Sequence, residues 1–305
     1  MKVCFLIVFV FASFFSFSQD TSVSVEDQVY ILPEVFVRDS NYADILRRIQ
    51  KDTSFYKAFK TLHTVGFSAY NNITMLDKEG MPEASYNSKT VQHVSNGCRT
   101  MTEENKITTG DFYDKKGGYN YMTAQMYASL FFTAGTACGE TNVVGNMDFD
   151  ADGKTGMEKH KAQLKMLFFN PGKKIPGIPF IGNKLDLYDA RAHQLYDYRL
   201  DYIPYRGSYA YLFSIKPKPD AASGDMVIDE MTTWFDPKTM EVLARNYQLS
   251  YKAGLYDFNV NMQVELTRIN NILLPQTLRY KGDFHAIFHD RERGEFTATL
   301  FDFKL

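Results

Sequence analysis

The clearest pattern in the chain covers residues 256–266. Tyr256, Phe258, Val260, Met262, Val264 and Leu266 alternate with Asp257, Asn259, Asn261, Gln263 and Glu265. A period of two without a fault marks a half-buried antiparallel strand with one apolar and one polar face. The same alternation runs through Tyr196, Tyr198, Leu200 and Tyr202, and again through Tyr209, Tyr211, Phe213 and Ile215. Near the end, Phe296, Ala298 and Leu300 give way to Phe301, Phe303 and Leu305, a change of phase that predicts a bulge between Leu300 and Phe301. Upstream, residues 64–121 read as antiparallel strands. Turn signals punctuate them at Lys78-Glu79-Gly80, at Asn96-Gly97 and from Lys115 to Gly118. Asn-Gly between strand-like runs is a strong hairpin signal. Residues 29–37 carry Pro33 and read as an edge strand.

Helical periods interrupt this β pattern in a few places. Tyr42, Ile45, Leu46 and Ile49 lie on one face of a helix that Asp39 or Ser40 can cap. Ser54 can cap a second helical stretch carrying Phe55, Ala58, Phe59 and Leu62. A short helix is expected over residues 121–132, and another over 157–169 with Met157, Leu164, Leu167 and Phe168 on one side. Between them, residues 133–156 look irregular. Pro171, Pro176 and Pro179 forbid a regular element through Gly182. The apolar residues of that stretch suggest a loop laid over a core. The resulting fold class is α+β, mainly antiparallel β.

The first residues form a different kind of segment. Lys2 is followed by an apolar run over residues 3–17, and Ser16 and Ser18 precede Gln19. This is the layout of a secretory signal, residues 1–18, cut before Gln19. No Cys stands at the cut to carry a lipid. The chain beyond it, residues 19–305, is long enough for one large domain, with an insertion near 133–195. Export makes Cys98 and Cys138 a candidate disulfide, with two separate buried thiols as the alternative.

Composition narrows the function classes. The formal net charge is −2, and losing Lys2 with the leader makes it one unit more acidic. Nothing here attracts nucleic acid. Aromatic residues make up 15 % of the chain, with 20 Tyr and 25 Phe, which favours strands and allows an apolar cavity. Asp148, Asp150, Asp152 and Gly153 begin like a calcium loop, but Lys159 stands where a bidentate Glu is needed. They are a weak calcium candidate beside the plainer reading of an acidic surface loop. His285 and His289 sit in a strand-like segment, where four residues separate them by about 13 Å, too far for one metal ion. No nucleophile elbow, phosphate-binding glycine loop or zinc-protease motif is present. The expectation is a non-enzymatic protein without a cofactor.

One stretch carries a family resemblance. A strand ends in Trp234-Phe235, a turn follows at Asp236-Pro237-Lys238-Thr239, and a second strand runs through Tyr247. After Lys252-Ala253-Gly254 comes the alternating strand, then Asn270-Asn271 and Leu274-Pro275. This resembles the late hairpins of the LolA/LolB-like superfamily of periplasmic lipoprotein carriers, and related exported bacterial proteins of open role. The resemblance implies a curved half-barrel sheet with two or three helices on its concave face. It also implies an apolar cavity able to take a lipid, an acyl chain or a lipoprotein. Candidate lining residues are Met126, Phe131, Leu167, Phe168, Phe180 and Trp234. Two other readings remain: a structural or interaction module of the cell envelope with a protein partner and no cavity, and an outer-membrane β-barrel. The expected location is the periplasm or the outer membrane.

Overall fold

The computed structural model describes residues 21–25, 28–32, 42–144, 163, 166–167, 171–175, 181–253, 256–286 and 290–305. Its centre is one antiparallel sheet of eleven strands among the described residues. A separate hairpin pairs β1 (Thr21–Val25) with β2 (Gln28–Leu32). The large sheet then takes β3 (Gly66–Leu76), β4 (Pro82–Ser95), β5 (Cys98–Thr109) and β6 (Thr136–Cys138). After the region of the insertion come β7 (Tyr196–Tyr205), β8 (Ser208–Pro217), β9 (Ile228–Phe235) and β10 (Val242–Ala253). The last three are β11 (Tyr256–Ile269), β12 (Ile272–Ala286) and β13 (Glu292–Lys304). Their order is β6-β5-β4-β3-β13-β12-β11-β10-β9-β8-β7. Two meanders therefore meet where the last strand, β13, pairs with β3.

The sheet is open. The three-residue β6 forms one edge and β7 the other, with β2 lying against β7. An open sheet with these edges overturns the outer-membrane β-barrel reading, since a barrel pairs its first strand with its last. A short edge and a covered edge both limit pairing with other chains. The fold is an α+β half-barrel with helices on one face.

Those helices are α1 (Tyr42–Gln50), α2 (Ser54–Thr61) and α3 (Met122–Phe131). The first two bury the side that the sequence period picks out, Ile45, Leu46 and Ile49 from α1 and Phe55, Ala58 and Phe59 from α2, while α3 is buried on nearly every side. α2 packs on β12 and α3 on β13. Gln163, Met166 and Leu167 are helical too, which agrees with the expected helix there as far as it is described.

Two local expectations shift. Ser54 does not cap α2 with its side chain: its hydroxyl accepts from the Val242 amide of β10 at 2.9 Å, and Asp52 Oδ1 accepts from the Ser54 amide at 2.9 Å. A hydroxyl that can fasten helix to sheet serves a partner distant in sequence here. The β13 irregularity falls between Phe301 and Lys304 rather than between Leu300 and Phe301, and Asp302 takes a left-handed φ of 52°. Short acidic side chains tolerate that conformation better than Phe does.

Candidate functional site

The concave face is assembled by strand parity. Phe258, Val260, Met262, Val264 and Leu266 of β11 all point into it and are buried. Leu278, Tyr280 and Phe284 of β12 and Phe296, Ala298 and Leu300 of β13 continue the same surface. Leu200, Phe213, Ile215, Met231, Phe235, Tyr247 and Leu249 extend it towards β7. The three helices and the stretch through Leu185 and Leu187 cover this surface without joining the sheet by backbone pairing. Among the described residues eight methionines are buried: Met75, Met231 and Met262 on strands, Met122, Met126 and Met166 on the helical cover, and Met226 and Met240 in the turns next to β9 and β10. Methionine is unbranched and flexible, so a seam rich in it can repack around an added apolar group.

The concave face changes character towards β5. Asn71, Ser88, Thr90, Gln92 and Arg99 are buried there. The Asn71 amide donates to Thr90 Oγ1 at 3.0 Å, and the Tyr127 hydroxyl of α3 donates to Asn71 Oδ1 at 3.0 Å. Complete burial raises the Tyr127 phenol well above its ordinary value. Gln92 donates to the Leu62 and Val65 carbonyls at 2.6 and 2.7 Å, and its own carbonyl accepts from Thr133 at 2.9 Å. Arg99 donates to Thr133 and, through two nitrogens, to Glu140. His63 Nδ1 lies 3.0 Å from the same carboxylate. Burial opposes ionisation of Glu140, but the Arg99 hydrogen bonds and the His63 charge hold its carboxyl below the usual value. Glu140 is placed by the Cys98–Cys138 disulfide, whose cysteines face each other across β5 and β6 with Cα atoms 4.0 Å apart.

A second charged group enters the apolar half. Arg245 shares the inward parity of Tyr247 and Leu249 and is only 7 % exposed. It donates to Thr233 Oγ1 at 3.0 Å, lies 3.8 Å from the Asp52 carboxylate, and places its guanidinium 4.3 Å from the centre of the Phe55 ring. Lys173 reaches the Gln50 carbonyl nearby. Burial lowers the Lys173 ammonium, an effect Asp52 resists and Arg245 reinforces. Neither Arg99 nor Arg245 was expected from the sequence as a site residue. For Arg245 the signal was present: the period of two through Tyr247, Leu249 and Tyr251 places residue 245 on the buried face.

Of the expected lining residues, Met126, Phe131 and Leu167 belong to this interior and are buried. Phe131 packs its ring 6.3 Å from Phe59 of α2 and 4.8 Å from Tyr127. Trp234 is a correction. Met231, Thr233 and Phe235 point inward, so parity turns Trp234 to the convex face, where its ring lies 5.8 Å from Tyr205. Phe168, Phe180 and the calcium candidate Asp148, Asp150 and Asp152 lie outside the described residues. No group of three or more metal-ligating side chains occurs among the described residues.

The fold and this seam define a class: an open antiparallel half-barrel whose concave face is closed by helices. Several solved structures are similar to the chain at low sequence identity. One is a DUF1329 family protein from Desulfovibrio piger, at 10 % identity and TM-score 0.25, covering 82 % of this chain and 91 % of that one. Another is a putative outer membrane lipoprotein-sorting protein domain from Vibrio parahaemolyticus, at 9 % identity and TM-score 0.27, covering 86 % and 90 %. A third is a LolA superfamily protein from Nitrosomonas europaea, at 10 % identity and TM-score 0.22, covering 83 % and 92 %. No family model matches the chain. No curated protein matches it either.

Proposed function

We propose that the protein is a non-enzymatic exported binder of an apolar ligand, such as an acyl chain or a lipid-bearing partner, held between the concave sheet and its helices. The observation that carries this reading is the methionine-lined seam. Away from a few polar contacts its two sides meet through apolar side chains, and the methionines among them can change rotamer at little cost. The buried polar cluster around Asn71, Gln92 and Arg99 gives the same interior a polar end, which suits an amphiphile better than a hydrocarbon. The Cys98–Cys138 bond fits an oxidising compartment and so an exported chain. No helix among the described residues is long and apolar enough to cross a membrane.

The test is native mass spectrometry of protein purified without detergent, followed by organic extraction. A stoichiometric fatty acid or phospholipid supports the reading. So does a rise in melting temperature with added palmitate, since a ligand at a hundredfold its Kd stabilises by about 2.7 kcal/mol. A second reading, a packed module of the cell envelope, is favoured by the buried charged contact that fastens the helical cover, Arg245 with Asp52. Bare mass together with no response to palmitate would favour that module.

A further inference from the structure

The opposite face of the sheet carries no helix among the described residues, yet it is not a plain surface. Two depressions lie on it side by side. The larger, about 710 Å³, is lined by Asn259, Asn261, Lys281, Asp283, Arg293 and Glu295 among others. The smaller, about 340 Å³, is lined by Tyr70, Asn72, Asn87, Lys89, Thr297 and Thr299 among others. They share strands β3 and β13. Thr74 pairs with Glu295 at the border of the first, and Asn72 pairs with Thr297, one row further, at the border of the second. The two adjoin along β13, and a chain laid across both, the trough meant below, would follow residues 293–299, about 20 Å at the rise of a strand.

We propose that this trough binds a neutral oligosaccharide chain, independently of any ligand between sheet and helices. Three features select that class. First, the charges cancel locally: Lys281 pairs with Glu295 at 2.8 Å, Arg293 with Asp283 at 3.1 Å, and Lys89 with Glu104 at 3.0 Å. Arg291 adds contacts at 2.5 Å to both Asp257 and Asp283. A charged polymer gains little from such a surface. Second, the uncharged groups are amides and hydroxyls, which offer donors and acceptors together as a sugar hydroxyl requires. Asn72 and Asn87 stand across the β3–β4 ladder with their side chains 2.5 Å apart. Third, an aromatic platform stands at the end of the trough. Tyr70 is 57 % exposed, although its ring is stacked on Phe301 at 4.9 Å. Phe301 fixes the orientation of the ring and leaves Tyr70 open to the C–H face of a pyranose.

The experiment is native affinity electrophoresis of the full chain in gels containing mixed-linkage β-glucan, xylan, galactomannan or dextran, with alginate as the anionic polymer. Retardation by at least one neutral polymer is expected. It should weaken by about tenfold in Tyr70→Ala, as loss of one aromatic contact implies, and also fall in Asn72→Ala. Tyr70→Phe should keep it, and Tyr209→Ala, an exposed ring elsewhere on the sheet, should leave it unchanged. Melting curves for each variant separate loss of binding from loss of fold. The proposal is overturned if no neutral polymer retards the protein, if alginate alone does, or if Tyr70→Ala binds like the parent. None of these outcomes bears on acyl-chain binding, which the extraction experiment reads separately.

Discussion

Gly282→Ala tests whether the sheet interior is as closely fitted as the burial of its residues implies. Gly282 of β12 stands directly across from Gly294 of β13, and Tyr280 stands across from Phe296. The two rings stack at 4.6 Å, nearly parallel, and lie along their own strands over the two glycines. A Cβ at 282 would meet the Tyr280 hydroxyl at 2.1 Å and the ring carbon Cζ at 2.4 Å. Tyr280 is 6 % exposed, and Phe296 in turn carries the Tyr127 ring of α3 at 5.6 Å. Tyr280 is nearly fully buried among these neighbours, so the ring must shift against them to admit a methyl. Overpacking of this kind costs about 1–3 kcal/mol. Set against it is a gain of about 0.4–1 kcal/mol from a stiffer unfolded chain. A net loss near 1–2 kcal/mol corresponds to a fall in Tm of about 2–4 °C for a chain of this size. The decisive assay is a double-mutant cycle with Tyr280→Ala. That single change should cost about 3–5 kcal/mol. In its background Gly282→Ala should become neutral or mildly stabilising, a coupling of about 1–3 kcal/mol. Additivity of the two changes would refute the reasoning, because the penalty would then not arise from the ring.

Further outcomes follow from the other contacts. α3 has no capping side chain of its own, and Glu292 of β13 accepts from the Met122 and Thr123 amides at 2.7 and 2.8 Å and from the Thr123 hydroxyl at 2.6 Å. Glu292→Ala should cost about 2 kcal/mol and speed hydrogen exchange at those two amides; slow exchange in the variant would contradict this. The disulfide spans a sequence separation of 40. Replacing both cysteines by serine should lower unfolding free energy by about 4 kcal/mol on loop-closure grounds, read by urea titration, and a loss under about 1 kcal/mol would count against that account. The depressed Glu140 carboxyl contributes stability that is complete above the ordinary glutamate pKa and is lost as pH falls through its lower folded value. Glu140→Gln should therefore flatten the acid limb of the stability curve without removing the acid transition due to other carboxylates; an unchanged acid limb would show that Arg99 does not bind the charged form. Because the single Trp faces away from the helices, palmitate binding should leave its emission maximum in place, and a blue shift on binding would argue for a different site.

The parts of this fold legible in the sequence are those that repeat. The period of two in β11 names its start and its buried face, though the strand runs on to Ile269, and Asn96-Gly97, both at positive φ, turns β4 into β5 as the dipeptide predicts. The helical period of α1 likewise names its buried residues. What stayed hidden depends on contacts remote in sequence. The Glu292 contact with α3 joins positions about 170 apart, and no local rule points to it. Trp234 shows that an aromatic ring's chemistry does not by itself place it, since its parity between inward Thr233 and Phe235 turns it outward. The change of phase announces the β13 bulge but locates it only to within a residue or two, because the left-handed φ falls on Asp302. The convex trough was invisible because Asn, Thr and paired charges on a strand read as solvated surface until the register lines them up.

The way the helical cover is attached bears on how a ligand could enter. α3 is held at its start by Glu292 and along its length by the Tyr127 contact with Asn71. The segment after it is held by the disulfide and the Arg99–Glu140 pair. The turn between α1 and α2 is held by Asp52 with Arg245, and α2 by Ser54 with Val242. Apart from the disulfide these contacts are polar and directional, while the area between them is apolar and carries most of the buried methionines. Breaking one charged contact inside a protein leaves its partner buried and unpaired, at a cost of about 3–5 kcal/mol. Separating apolar surfaces costs in proportion to the area exposed, and an entering acyl chain restores that area as it goes in. On the proposed acyl-chain reading, a ligand would therefore enter by parting the methionine seam while the polar fastenings stay closed, with the helices tilting about their anchored ends rather than detaching.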